Sequence, residues 1–420
     1  MRSLVAALAL SFLLGCWAPA GFPNGNSFVI ENVHVFDGRK DLGVTRVAVR
    51  DGRILAVGGA VAKNDLPAID GAGRTLIPAL IDANTLSTGR AREDALRFGV
   101  ATELELLGSV AKLVQLKKER ESMSRTRRAD LFSAGAVTEP AHGHGSQSLL
   151  PIPQEAREAA AAAVVDSRIA AGSDFIKLIL EDFSKVGGPD GQAILDPAQL
   201  AAAVNAVHRH GRLAVVSLAI HDEARQAVEA GVDGLAGSFL DRPADAEFVA
   251  AVRERGVFII PTLAGVAALA GRGDGARLLA QPSLRQRLSS EQAADLGETF
   301  EDLESKMPAF WDYAIASVRS LKEAGVTILA GSGAPNPGSA HGIGLHLELE
   351  LLVAAGLSPA EALEAATAAT AESFALKDRG RIAPGWRADL LMVAGDPTRD
   401  IAATREIVAV FKNGFAIPLQ

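Results

Sequence analysis

The chain has 420 residues, 48% of them apolar, which is enough for one large domain and a smaller one, each with its own core. Its formal charge of -8, with Lys and Arg scattered, excludes a basic face for nucleic acid. A single cysteine, Cys16, excludes a disulfide framework.

The opening stretch MRSLVAALALSFLLGC has Arg2 and then an apolar run from Leu4 to Leu14. That run is too short to span a bilayer as a stable helix and suits an export signal. Two processing readings stand side by side. LLGC resembles a bacterial lipobox, which would make Cys16 the lipidated first residue, and APA at 18–20 resembles an ordinary cleavage site after Ala20. The lipobox is preferred because the one cysteine sits where it is required. The expectation is an exported bacterial protein, periplasmic and membrane-anchored through Cys16, with residues 1–20 as a signal and lipobox region. The richness in Ala, Arg and Gly fits a high-GC bacterial source.

From Ser27 the texture is that of short alternating strands, with a turn at Asp51-Gly52. After Asp82 apolar runs alternate with helical segments. In EAGVDGLAG and KEAGVTILAG, an Ala-rich helix ends at Gly231 or Gly325 and passes directly into a short buried strand. The repeat of helix, glycine and buried strand predicts a parallel α/β array, closed as a (β/α)8 TIM-like barrel over residues 80–377. The charged run at 117–128 reads as a solvated helix face, and 273–324 as a helical elaboration without strands. LSPAEALEAATAATAESFAL predicts a helix with Ser358 as N-cap, Pro359 at the first position and Glu361 completing a capping box. Strand texture then returns, ending in a KNG hairpin turn. The strands of 27–79 and 378–420 are expected to pair as a small composite β-sandwich into which the barrel is inserted, with the termini side by side.

Several long words occur in an order that resembles one family: LIPALIDANT, DFIKLIL, DEARQAVEAGVDGLAGSFLD, ILAGSGAPNPG, GLHLELELLVAAGLSPAEALEAATAATA and DRGRIAPGWRADLLMVAGDP. Together they resemble the amidohydrolase superfamily, in its imidazolonepropionase-like and Xaa-Pro dipeptidase-like branch. The resemblance implies metal-dependent hydrolysis of carbon–nitrogen bonds, with ligands at the C-terminal ends of barrel strands. A bound cation such as zinc lowers the pKa of water from 15.7 to roughly 7 and so supplies hydroxide near neutrality.

Carried across position by position, the resemblance implies histidines where this chain has Asn84, Leu86, Ser217 and Gly237. It implies an aspartate, ligand and general base, where the chain has Gly333. Lys177, which relatives can carboxylate to bridge two metals, is retained. Leu86 and the glycines offer no donor atom, and Asn84 and Ser217 are weak neutral ligands. No metal cofactor is therefore expected, and family-type hydrolysis is expected to be lost or strongly reduced. Three readings follow: a degenerate hydrolase that binds a small peptide-like or cyclic-amide ligand; an active hydrolase with an atypical zinc or metal-free site built from His144, Lys177, His221 or His346; and a structural or interaction lipoprotein. His142 and His144 occupy a loop near the substrate position of relatives, and His346 is placed near the mouth, as is, less firmly, His341. His208 and His210 are read as structural groups at a helix C-terminus, and His34 as part of the sandwich.

Overall fold

The computed structural model describes residues 21–59, 66–135, 157–186, 195–300 and 308–419. The chain begins with β1 (Phe28–Phe36), β2 (Asp41–Arg50), β3 (Arg53–Val57), β4 (Ala68–Asp70) and β5 (Arg74–Pro78). Between β2 and β3 the chain reverses at Asp51 and Gly52, whose φ values of 50° and 75° are those of a tight hairpin turn. In β1, Asn32 takes φ 55° at a register shift between Ile30 and Val33. This bulge lets both of those residues, three apart, join one core where strict alternation would put one outside.

The next seven strands are short and parallel. β6 (Leu80–Thr85), β7 (Val100–Glu105) and β8 (Asp130–Ser133) pair in order, as do β9 (Ile176–Ile179), β10 (Ala214–Ser217), β11 (Gly234–Ala236) and β12 (Phe258–Ile260). The segment 327–334 bridges the two groups as an eighth stave, through Ile259↔Ile328 on one side and Thr85↔Ala334 on the other. On the far side, the Asp174 N–H donates to the Ser133 carbonyl at 2.9 Å, linking β8 to the start of β9. Eight staves in this order give the TIM-barrel-like α/β fold. Phe175 and Phe258, at the N-terminal ends of β9 and β12, meet Phe374 edge-on and tilted, with centroids 5.1 and 5.2 Å apart. The barrel floor is thereby filled.

Outside the staves lie helices such as Pro197–Arg209. Asp196 caps it in a full capping box with Gln199, Pro197 takes the first turn, and Leu200, Ala203, Val204 and Val207 form its buried stripe. Burying each such leucine or valine stabilises by about 1.5–3 kcal/mol. Gly231 and Gly325 end their helices with φ of 85° and 78°, as the sequence predicts. The elaboration holds helices Asp274–Leu279, Pro282–Arg285, Ser290–Gly297 and Pro308–Glu323. The late helix is not continuous: its capping box at Ser358 is present, but it breaks into Pro359–Ala365 and Ala368–Ser373 around Thr367, whose φ and ψ are -138° and -97°.

The chain closes with β13 (Leu390–Ala394), β14 (Ile407–Lys412) and β15 (Phe415–Ala416). β13 pairs antiparallel with β5, so strands from both ends of the chain form one eight-stranded sheet. Its side chains, including Phe28, Leu76, Met392 and Phe411, make a single core. This sheet is fastened to the barrel by a buried ion cluster. The fully buried Lys412 ammonium donates to Asp130 of β8 and to Asp389, both at 2.7 Å, and Arg379 donates twice to Asp130.

Candidate functional site

The five positions singled out in the sequence lie at the C-terminal ends of neighbouring staves. Gly333 donates its N–H to the Asn84 carbonyl and Leu86 donates to Ala334, which ties β6 to the last stave. Ser217 is the final residue of β10, its carbonyl held by the Leu180 N–H at 2.8 Å, and Gly237 follows β11, its N–H on Ile260. Lys177 sits on β9 opposite Val215. The structure thus gathers these six residues around one barrel mouth.

The local backbone at two of these positions belongs to glycine. Gly237 has φ 113°, and a Cβ built on it would lie 2.4 Å from the Leu218 carbonyl oxygen. Gly333 has φ 69°, and its Cβ would lie 2.6 Å from Thr262 Cγ2. Any side chain there would meet both a left-handed backbone and a neighbour already in place. Thr262 itself has φ 53°, which is costly for a β-branched residue. Asn84 Nδ2 donates to its Oγ1 at 3.0 Å, and the next two N–H groups, of Leu263 and Ala264, donate to the fully buried Glu348 at 3.0 and 2.8 Å. Burial raises the Glu348 carboxyl to about 8.

On the facing side, Ser217 Oγ donates a hydrogen bond to Glu181 Oε1. Withdrawal from water raises the Glu181 carboxyl, and the Lys177 ammonium works against that rise.

Behind the β6–β7 wall is a second polar group. Asp82 accepts from the N–H groups of Ser332 (2.9 Å) and Asn84 (3.2 Å), while its Oδ2 is buried without a partner, and burial raises it to about 7. Glu105 accepts from Ser133 Oγ at 2.6 Å and from the Ser87 N–H, and burial likewise raises it to about 7. Glu103 takes a hydrogen bond from Ser87 Oγ and pairs with His341 Nδ1 at 2.6 Å. Burial alone lowers His341, but the Glu103 charge overrides it and holds the imidazole up at about 9.

The other candidate histidines lie elsewhere. His346 is not at the mouth: it is fully buried in helix Ile343–Ala354, where its ring nitrogens meet the Phe98 carbonyl and Thr404 Oγ1 at 2.8 and 2.9 Å, and burial lowers it to about 4. His221 does open helix His221–Glu229, but it is fully buried against Phe239 and Phe248, with centroids 5.4 and 4.9 Å away, in the helical layer. His208 and His210 end their helix paired with Asp233 and Asp166, and His34 pairs with Asp41 in the sheet. His142, His144 and Cys16 lie outside the described residues.

Glu103, Glu105, Glu181 and Glu348 escape a reading of the sequence, although for the first three, carboxylates within VATELELL and DFIKLILED, otherwise apolar strand words, were the available signal. The donor set at the mouth does not fit the family's binuclear centre. Among the described residues no group of three or more His, Cys, Asp or Glu side chains is placed to hold a metal ion, and a ligand side chain at Gly237 or Gly333 would meet a strained backbone and a close neighbour.

The signature of the Amidohydrolase family matches residues 124–417. Imidazolonepropionase of Deinococcus deserti is 42% identical over 87 residues, covering 20% of this chain and 22% of that protein. Adenine deaminase of Lysinibacillus sphaericus is 36% identical over 73 residues, 17% of this chain and 12% of that protein. The chain therefore aligns with about a fifth or less of the length of these relatives. Among solved structures, a Xaa-Pro dipeptidase with bound methionine in the active site superimposes with a TM-score of 0.72 at 20% identity, covering 93% of this chain and 99% of the other. Ochratoxinase of A. niger superimposes with a TM-score of 0.69 at 19% identity, covering 93% and 95%. At these identities the likeness is one of fold.

Proposed function

Because the chain belongs to the amidohydrolase family, we propose that it is a member in which metal-centred hydrolysis has been lost and the barrel mouth is retained as a polar binding site. The ligand class is a small peptide-like or cyclic amide. The single observation that carries this reading is the state of Gly237 and Gly333: the Leu218 carbonyl and the Thr262 methyl fill the places where ligand side chains would begin. A substitution that merely removed donors would leave room for them. Here the backbone has also settled into forms that a side chain occupies only under strain. Without a cation to lower the pKa of water, the hydroxide of the family mechanism has no source.

Asn84, Thr262, Lys177, Glu181 and Ser217 nevertheless leave the mouth polar, with one ammonium and one carboxylate beside hydroxyl and amide groups. An amide presents one acceptor and one donor, which such a set can answer from both sides.

Metal content by mass spectrometry tests the reading, on protein produced with zinc and manganese supplied. Less than a tenth of an equivalent per folded chain is the expected result. One equivalent or more overturns the proposal and directs attention to His142 and His144. A sharper test restores all five family residues, Asn84→His, Leu86→His, Ser217→His, Gly237→His and Gly333→Asp. The glycine conformations predict that this variant still takes up no zinc.

Attachment to a membrane through a lipid on Cys16 forms part of the same proposal and rests on the LLGC word alone. Among the described residues no helix is long and apolar enough to cross a membrane. Incorporation of labelled fatty acid in a bacterial host, lost in Cys16→Ser, is the expected outcome; cleavage after Ala20 without label overturns the anchor.

A further inference from the structure

The mouth holds a second chemistry that the family mechanism does not use. Ser217 is the last residue of β10, 4% exposed, with its backbone fixed on both sides: its carbonyl accepts from Leu180, and the following N–H donates to Ala236. Its hydroxyl is committed to one acceptor, Glu181 Oε1. Glu181 lies four residues beyond Lys177 at the end of the adjoining stave, and the Lys177 charge acts on it. A hydroxyl hydrogen-bonded to a carboxylate, with a cation biasing that carboxylate toward its ionised form, is the arrangement of an activated nucleophile and its base. All three groups sit at the end of the barrel where strand termini converge.

We propose that Ser217 is a metal-independent nucleophile toward the carbonyl carbon of small amides or esters, with Glu181 as its general base. The inference rests on the reading of the mouth as a site for amide-like ligands. As the Ser217 Oγ–carbon bond forms, the hydroxyl proton passes to Glu181. The carbon–nitrogen or carbon–oxygen bond then breaks, and the leaving amine or alcohol takes that proton from Glu181. Water completes the cycle: it gives a proton to Glu181 as its oxygen attacks the ester carbon, and Ser217 recovers the proton on leaving. The chemistry consumes one water per amide or ester and needs no redox partner.

The test uses the full chain with two probes, a fluorophosphonate and p-nitrophenyl acetate. The expected result is one covalent adduct per chain by intact mass, mapped to Ser217 by peptide sequencing and unaffected by EDTA. Ser217→Ala abolishes it, and Glu181→Gln slows it roughly 10²- to 10⁴-fold, the range for loss of a positioned base. No adduct, an adduct on another residue, or equal rates for the wild type and Glu181→Gln in protein shown by circular dichroism to be folded would overturn the inference. If the chain proves metal-free and unlabelled, the nucleophile fails alone. If it carries zinc and labels only without EDTA, the metal-free reading fails with it.

Discussion

Two clusters of buried charge in this molecule are built on opposite terms. At the seam between the terminal sheet and the barrel, each carboxylate faces a cation: Asp130 has Lys412 and Arg379, Asp389 has Lys412, and Asp378 has Arg387. Asp130 is accordingly held below the usual carboxylate range, its partners winning over burial. At the barrel wall and mouth, Asp82, Glu105 and Glu348 lean on neutral N–H and hydroxyl donors, and burial raises all three. The seam is neutralised by ion pairs; at the wall Glu103 pairs with His341, whereas Asp82, Glu105 and Glu348 are held toward their protonated forms. The first arrangement fastens two layers together; the second leaves groups whose charge answers to pH and surroundings, as a functional site needs.

The largest test of that contrast is at the seam. Lys412→Met leaves Asp389 buried without its cation and Asp130 with one partner fewer, and removing one member of such a cluster costs about 3–5 kcal/mol. Urea unfolding should show the midpoint falling by that equivalent. A loss below about 1 kcal/mol would put the seam on a level with exposed ion pairs.

A loss of comparable size is expected at Glu348. Glu348→Ala orphans the buried N–H groups of Leu263 and Ala264, at about 1–3 kcal/mol for each group left unpaired. Glu348→Gln retains one acceptor and should recover at least half of the loss. Equal losses for the two variants would mean that the negative charge, rather than the acceptor atoms, holds the Thr262 turn.

The wall should also give the protein a pH profile. Asp82 and Glu105 keep their protons in the fold to about 7, and Glu348 to about 8, whereas the unfolded chain releases them near 4. The native state binds the extra protons, so stability falls as pH rises through that interval. His341, raised to about 9, adds stability that is complete below 6.5 and is lost between 6.5 and 9. His346, lowered to about 4, acts oppositely, contributing stability that grows from pH 4 to 6.5. The melting temperature should therefore be higher near pH 6 than at pH 9, by the equivalent of several kcal/mol. His341→Asn should flatten the limb between 6.5 and 9; an unchanged limb would remove the Glu103–His341 pair from the account.

Much of the frame was legible in the residues because short-range rules govern it. The Asp51-Gly52 and Asn413-Gly414 turns, the helix-ending Gly231 and Gly325, the capping box at Ser358 and the gathering of Asn84, Leu86, Ser217, Gly237 and Gly333 at one mouth all follow from local chemistry or word order. What escaped depends on layers. VATELELL alternates like a half-exposed strand, yet all of Val100–Glu105 is buried, because the barrel core covers one face and helices the other. Helix Ile343–Ala354 is buried on nearly every side, so its pattern gives no direction for His346 or Glu348. The conformations of Gly237 and Gly333 were equally hidden, since a glycine letter does not state which φ it serves.

The smallest effect belongs to the mouth itself. Asn84→Ala removes one hydrogen bond, Nδ2 to Thr262 Oγ1, between groups that are only partly buried, and a net loss of about 0.5–1.5 kcal/mol is expected. Thr262→Gly loses the same bond but also frees a left-handed β-branched residue, a strain of order 1–3 kcal/mol, so it should be neutral or stabilising by urea unfolding. The pair separates two accounts of the turn. If Thr262→Gly stabilises while Asn84→Ala mildly destabilises, the mouth holds strain that the rest of the fold sustains through Glu348. If both destabilise alike, the hydrogen bond outweighs the strain, and the mouth is packed on the same terms as the seam.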